Sequence, residues 1–291
     1  MRFSILILFL LCFSGFAGQQ GVTQRFTQTE PKDWSCELIG DYVLGSRILK
    51  ASQLGSQATY HYSLEALHNF HLFGRYYLQA GIEAEQFVFS RSDGNAFPSS
   101  LNSFNAEIAF SYWSGEDFYP LLRIEPGAFF AGRHVTANSF DMPLRIAAGI
   151  KVRDNLHLVI GLTADPFTEN PVVPVGGFNW KINDRFNLKA VFPKPRFSYL
   201  PNKEWEFFIA GEAMGGGYRN GPTPDRRTNN AVLEYSDLRA GAGASYNPTP
   251  DISVELAAGW VFQRRFNYFH AGPIYTTRGS PYLKADLSFS F

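Results

Sequence analysis

The last ten residues, Tyr282 to Phe291, read YLKADLSFSF and guide the interpretation of the whole chain. Every second residue is apolar, and each residue between them carries a polar group. Side chains alternate between the two faces of a β-strand, so this pattern predicts a strand with one apolar and one polar face. The apolar members are Leu283, Ala285, Leu287, Phe289 and Phe291.

The composition of the 291-residue chain fits a large β domain with many aromatic residues. Formal net charge is zero, which argues against a generally basic nucleic-acid-binding protein. Aromatic residues make up 16% of the chain, and hydrophobic residues 45%. After the N-terminal segment no apolar run approaches the length of a transmembrane helix. A membrane β-barrel accounts for both facts, because every second residue of its strands can be polar.

The N-terminus has the features of a secretory signal. Arg2 precedes the apolar run from Ile5 to Phe13, and the small residues Gly15 and Ala17 fit a cleavage site. We therefore predict a signal peptide at 1–17, a flexible periplasmic segment at 18–35 and a β-barrel at 36–291. Only Cys36 remains after cleavage, so no intrachain disulfide is expected.

Alternating segments separated by turn residues continue along the chain and predict 14 strands. Short connections fall near residues 73, 115, 154, 183, 202 and 248, and long ones near 52, 96, 136, 168, 224 and 273. This rhythm is typical of an antiparallel up-and-down transmembrane barrel. The pieces at 186–200 are short for spanning strands, so a count of 12 stays open. In the strand that begins at Ile252, Gln263 and Arg265 are expected on the polar face.

Charged residues occupy the face of these strands opposite the apolar one. At the bilayer midplane a Lys or Arg facing lipid costs about 2–4 kcal/mol, so the charges are expected to face the lumen. They indicate either a selective pore or a paired interior that holds the barrel together. The candidate lumen-lining residues are Glu107, Arg123, Glu125, Arg145, Lys151, Lys181, Glu206, Arg239, Glu255, Lys284 and Asp286.

Small residues on the inward faces of the late strands favour a narrow pore. They are expected to leave space, and Arg239 and Glu255, on neighbouring strands, are expected either to line it or to bridge it. Positive and negative lumen charges nearly cancel, so ion selectivity should be weak. The small inward residues are Gly241, Gly243, Ser245, Ser253, Ala257 and Gly259.

The sequence contains no strong motif for a metal, a cofactor or a catalytic site. The six histidines lack a metal-ligand motif, although His68 and His71 are three residues apart. The run Gly215-Gly216-Gly217 does not follow a phosphate-loop pattern. No stretch resembles an outer-membrane protease or phospholipase, so an outer-membrane hydrolase is the last-ranked class. We expect no cofactor and no metal.

The C-terminal pattern resembles the closing strand of Gram-negative outer-membrane barrels, in which it serves as the assembly signal. On this resemblance Leu287, Phe289 and Phe291 are the signal. Residues 36–291 resemble uncharacterised outer-membrane barrel families of the domain-of-unknown-function type, most specifically at 176–180 and 192–199. The resemblance implies an outer-membrane location but no transferable catalytic or binding residue. The implied partners are outer-membrane lipid, lipopolysaccharide and the barrel assembly machinery.

Three functions follow from this reading. The first is a narrow passive channel or transporter for small solutes. The second is a structural or surface-interaction barrel with a filled lumen and no transport. The third is a soluble secreted β-sandwich, since a soluble sheet can show the same alternation. Nucleic acid is not an expected partner, and the oligomeric state stays open.

Overall fold

The computed structural model describes residues 32–49, 55–90, 98–113, 118–223, 225–268 and 272–291. The predicted signal peptide, and most of the segment predicted to follow it, lie outside these ranges. Within them, no helix is long and apolar enough to cross a membrane. Apart from a short 3-10 helix at Ala137–Ser139, the regular structure is β-strand.

Among the described residues, seventeen strand segments form one closed sheet of 14 strands, as the sequence predicts. Three strands are interrupted, because β5 and β6, β7 and β8, and β16 and β17 each continue one another along the same neighbours. The segments are β1 Trp34–Leu49, β2 Ser56–Phe73, β3 Tyr76–Phe89, β4 Ser100–Trp113, β5 Phe118–Ile124, β6 Gly127–Ala131, β7 Phe140–Asp141, β8 Leu144–Arg153, β9 Leu156–Ala164, β10 Val172–Lys181, β11 Phe186–Val191, β12 Arg196–Tyr199, β13 Trp205–Asn220, β14 Val232–Thr249, β15 Ile252–Asn267, β16 Ile274–Thr277 and β17 Ser280–Ser290.

The barrel closes between its first and last strands. β1 pairs antiparallel with β17, in register from Ser35 opposite Ser290 to Val43 opposite Tyr282. The Trp34 and Phe291 backbones exchange two hydrogen bonds of 2.8 and 3.0 Å at the end of this ladder. A single closed sheet leaves no second sheet to pack on, so the β-sandwich alternative is wrong.

The two faces of the sheet have opposite chemistry, as the alternation predicts. On β1 and β4, Leu38 and Ile108 point outward and are 45% and 40% exposed, whereas Glu37 and Glu107 point inward and are buried. An apolar outer surface around a polar interior reverses the arrangement of a soluble protein. It is the arrangement of a barrel that faces lipid.

One predicted loop contains a strand. Residues 267–280 were expected to be a long loop, but β16 lies within them and is paired along both of its edges. Thr277 lies opposite Ile48 of β1, and Thr276 lies opposite both Leu49 of β1 and Arg265 of β15. At the end of the barrel opposite the chain termini, which we call the outer end, β1 and β15 extend far enough to supply backbone partners on both sides of β16. A sequence pattern does not record these partners.

The outer end of the barrel is pinched between β6 and β13. Phe130 and Ala131 pair in parallel with Arg219 and Asn220, so at this height the wall passes directly from β6 to β13. Strands β7–β12 form the remaining wall below this contact, and we call them the side arc (residues 140–199). We call the part of the lumen that the other strands enclose the main compartment. The short pieces noted at 186–200 are β11 and β12, which belong to the side arc.

Candidate functional site in the barrel lumen

Aromatic side chains fill the outer end of the main compartment. Phe87 of β3, Tyr218 of β13, Tyr235 of β14 and Phe266 of β15 are all 0–2% exposed. The Tyr235 ring centroid lies 5.0 Å from those of both Phe87 and Phe266, the usual spacing of packed aromatic pairs. We call this cluster, which also includes Phe89, the aromatic plug.

Below the plug, a chain of polar contacts crosses the lumen. The Tyr218 hydroxyl donates to Glu85 (3.1 Å), and the other Glu85 oxygen lies 3.0 Å from His61 Nε2. His61 Nδ1 lies 2.6 Å from Asp41, which lies 3.3 Å from the Arg239 guanidinium. These residues belong to five strands, so the chain fixes opposite walls of the barrel to one another.

A second buried ionic cluster centres on Arg123 of β5. Its guanidinium contacts Glu107, and it lies 3.3 Å from Glu65 and 2.8 Å from Glu125. Each of the four residues is at most 5% exposed. The charges predicted to face the lumen therefore lie in a paired and water-excluded interior on this side of the barrel.

The small inward residues of the late strands do not leave an axial pore. A side chain at Gly241 or Gly259 would run into the Tyr282 ring, and one at Gly243 would run into Phe208. The absence of side chains at these glycines therefore accommodates two large rings. The expectation that they leave open space is wrong for this reason.

Arg239 and Glu255 lie on the neighbouring strands β14 and β15, as expected, but they do not bridge one another. The β14–β15 register places Arg239 opposite Val261 and Glu255 opposite Ser245, and the Arg239 guanidinium pairs with Asp41 and with Asp237 (2.7 Å). Glu255 instead lies 2.9 Å from Arg196 of the side arc.

In the side arc, strand β8 keeps two inward-facing residues accessible. On β8, Gly149 is exposed, and the Lys151 side chain is 61% exposed. Lys151 begins a row of directly opposite residues that crosses β8 to β12. Thus the inner face of β8 is open to solvent at these two residues, whereas the main compartment is packed. The row is Lys151, His157, Asn179, Lys189 and Arg196.

A small acidic cavity of about 30 Å³ lies at the point where the side arc departs from the main compartment. Asp141 and Asp165 approach it from the side arc, and Gly215, Gly216 and Gly217 form its edge on β13. Burial, followed by the nearby Asp141 carboxylate, raises the pKa of Asp165 to about 8. The other residues that line the cavity are Glu83, Glu85, Ser103, Asn105, Glu125, Phe129, Pro143 and Tyr218.

The loop at 165–171, which we call the strap, connects β9 to β10 and packs on the outer face of β13–β15. Phe167 lies beneath the Arg219 guanidinium (4.9 Å), and Glu169 lies 3.0 Å from Arg265 and 2.9 Å from Asn267. A side chain at Gly217 would overlap the backbone of Phe167. Glycine at this position therefore allows the strap to contact the wall.

Gly217→Val is expected to displace the strap while leaving the barrel folded. A glutamyl endopeptidase should then cleave the folded variant at Glu169 several-fold faster than the wild type, because cleavage reports local opening. Gly40→Val is the matched control, since a side chain at Gly40 meets no atom within 4 Å. Equal cleavage rates in the Gly217 variant and the wild type would show that the strap tolerates the side chain.

The structure places all eleven candidate lumen residues on the inward face. Glu107, Arg123 and Glu125 lie in one cluster. Glu206 and Glu255 share Arg196, Lys284 lies 3.5 Å from Glu212, and Asp286 accepts from Ser288. Arg145, Lys151 and Lys181 line the side arc.

Several important residues of the lumen are not in that set. Alternation places Asp41, His61 and Glu85 on the inward face, but nothing in the sequence indicates that they contact one another. Arg264 was missed because the bulge in β14–β15 changes the alternation, so that Arg264 is buried inward and Arg265 is not. In the described part of the chain, no group of three or more His, Cys, Asp or Glu could hold a metal ion.

Comparisons with known proteins agree with this fold. Residues 66–290 match the profile of a family described as a domain of unknown function (DUF6268). No curated protein matches the chain significantly. The COG4313 outer membrane channel from Pseudomonas putida F1 has a similar structure, with a TM-score of 0.51 and 11% identity over 94% of this chain and 100% of that one.

Two further solved structures are similar at lower scores. The NanC porin has a TM-score of 0.39 and 11% identity over 88% of this chain and 100% of that one. The TodX monoaromatic hydrocarbon channel has a TM-score of 0.43 and 12% identity over 90% and 91%. At 11% identity, the similarity to the COG4313 channel shows the fold of an outer-membrane barrel and no more.

Proposed function

The chain belongs to the DUF6268 family, and we propose that it is an integral outer-membrane protein that passes small solutes along its side arc. Its outward apolar band would contact outer-membrane lipid. The observation that carries the proposal is the division of the lumen. Side chains fill the main compartment, whereas Gly149 and Lys151 on the inner face of β8 are accessible to solvent.

The packing of the main compartment argues against a path along the barrel axis. An axial solute would have to displace the aromatic plug, and burial of a large aromatic side chain is worth about 1.5–3 kcal/mol. It would also have to separate the Arg123 and Arg239 clusters, whose members are buried. A path along the inner face of β8 needs neither change, because Gly149 and Lys151 are already accessible to solvent.

The charges along the proposed path differ between its two ends. The row that begins at Lys151 is basic, whereas the cavity at the upper end of the side arc is lined by carboxylates. A solute that passes both regions meets the basic row, which repels cations, and the acidic cavity, which repels anions. We therefore expect weak ion selectivity.

The second candidate is a filled barrel that transports nothing, with a structural or surface-interaction role. The aromatic plug and the buried ionic clusters favour it, because they give the lumen a packed interior. Strand number alone does not separate the two candidates, since 14 strands lie between small filled barrels and wide porins.

Conductance of the purified protein in planar bilayers tests the proposal. The wild type should show small discrete steps, and Gly149→Phe should lower the step size by about half or more, because conduction falls with pore width. Gly40→Phe on the outward face of β1 is the matched control and should conduct like the wild type. Heat-modifiable mobility on gels shows that each variant is folded.

The outcomes separate the two candidates. Folded wild-type protein without conductance steps would reject the channel and leave the filled barrel. Steps that Gly149→Phe leaves unchanged would show that solute does not pass along β8.

A further inference from the structure

We infer that the inner face of β10 and β11 is a binding site for a small anion that carries hydroxyl groups, formed by Asn179, Lys181, Asn187 and Lys189. The strand register brings these residues together. Asn179 lies directly opposite Lys189, and Lys181 lies directly opposite Asn187. Opposed residues on one face of neighbouring strands have Cβ atoms about 4.5–5.5 Å apart, so the four side chains form one patch.

Both asparagine side chains are buried without a partner. Asn179 and Asn187 are each 6% exposed, and the Oδ1 atom of each has no hydrogen-bond partner among the described residues. A buried polar group left without a hydrogen bond costs about 1–3 kcal/mol. Two such groups on adjacent strands therefore point to a ligand that hydrogen-bonds to them. A primary amide both donates and accepts, which suits hydroxyl groups.

The two lysines provide positive charge that the protein does not neutralise. In the described part of the chain, Lys189 has no hydrogen bond or ion pair. Among the described residues, the only partner of the Lys181 ammonium is Asp184, at 3.6 Å, with a side chain that is 98% exposed. An ion pair so open to solvent is weak. By contrast, Arg196, next to Lys189 in the row, is held by Glu206 and Glu255 at 2.8 and 2.9 Å.

Access to the patch is from the periplasmic side. Lys181 ends β10 next to the turn at 182–185, which lies at the same end of the barrel as the chain termini. At about 3.3 Å per residue along a strand, Asn179 lies roughly 7 Å farther into the lumen. The inference therefore extends the proposed function by naming the solute class that the wall of the side arc would hold.

The ligand class follows from these four groups. The ammonium groups select a carboxylate or a phosphate, and the amides select neighbouring hydroxyl groups. A sugar acid and a sugar phosphate share this chemistry. A neutral sugar lacks the charge, and acetate lacks the hydroxyl groups.

Isothermal titration calorimetry on the full-length protein in detergent tests the inference without any need for an open channel. Gluconate and glucose 6-phosphate are the probes, and glucose and acetate are the comparisons. At least one hydroxylated anion should bind more tightly than both comparisons. Lys189→Gln should weaken its binding about tenfold or more, the effect of losing one charge-assisted hydrogen bond. Lys203→Gln, in the turn at 200–204, is the matched control and should bind like the wild type.

A second variant tests the role of the amides. Asn179→Leu should lower the preference for the hydroxylated anion over acetate, even if the lysines still attract both anions. Equal binding of gluconate, glucose 6-phosphate and glucose, or unchanged binding in folded Lys189→Gln, would overturn the inference. Binding without conductance would retain the site and reject only the channel. Conductance without binding would reject the site and retain the channel.

Discussion

Replacing Arg123 with methionine is expected to destabilise the folded barrel by about 3–5 kcal/mol, the usual cost of removing one partner from a buried ionic cluster. Arg123 is 5% exposed and contacts Glu65, Glu107 and Glu125, which are each 1–2% exposed. Methionine fills a similar volume but leaves three carboxylates close together in a region without water. Unfolding in urea, followed by tryptophan fluorescence in lipid vesicles, measures the change.

Two further variants separate the loss of charge pairing from a general packing defect. Arg227→Met breaks an ion pair with Asp225 on an exposed loop and should leave the unfolding midpoint unchanged. Adding Glu65→Gln and Glu107→Gln to the Arg123 variant should restore part of the lost stability, because fewer unpaired charges remain. If these additions bring no recovery, the ionic cluster does not explain the effect of Arg123→Met.

The Arg123 cluster also shows how far the sequence determines the lumen. Alternation placed Arg123 and Glu107 on the inward face, because a period of two allows only two faces and lipid excludes charge from one of them. It did not give their partners. Glu65 and Arg123 are separated by 58 residues and meet only when strands β2 to β5 have paired in register.

Two features of the fold are not contained in any local pattern. The bulge between β14 and β15 reverses the alternation, so Arg264 faces inward where the pattern indicates Arg265. The pinch between β6 and β13 joins residues 130 and 219, and no pattern near either residue predicts the other. The pinch divides the lumen and the bulge changes which arginine enters it, so the sequence left the choice between a pore and a filled barrel open.

The aromatic plug is likewise not predictable from local sequence. Phe87, Tyr235 and Phe266 face inward, so an apolar side chain on the polar face looks locally like an exception to the pattern. These three side chains come from three strands but lie at the same height in the barrel, where they form an apolar core inside a polar lumen. Only the register of the strands shows that they lie at the same height.

Removing the last residue is expected to reduce the yield of folded barrel severely, if the terminal pattern is the assembly signal. The proposed signal residues Leu287, Phe289 and Phe291 lie at the seam where β17 meets β1. Phe291 is 69% exposed, so its side chain is available to a partner and contributes little to packing within the barrel. Its backbone exchanges two hydrogen bonds with Trp34.

Deletion and substitution of Phe291 separate the two roles of this residue. Deleting Phe291 removes the side chain and both backbone hydrogen bonds. Phe291→Asp keeps the backbone, removes the exposed aromatic ring and adds one negative charge. If the ring is recognised during assembly, both variants should lose most of the heat-modifiable folded form in cells. If the residue acts only by closing the seam, the deletion should lose it and Phe291→Asp should not.

Refolding in vitro provides the control for this experiment. Purified Phe291→Asp protein should refold into detergent as well as the wild type, because the exposed ring makes little contact with the rest of the barrel. A defect in cells combined with normal refolding in vitro would assign Phe291 to recognition by the assembly machinery. A normal folded yield in cells for both variants would show that the terminal aromatic residue is not the assembly signal.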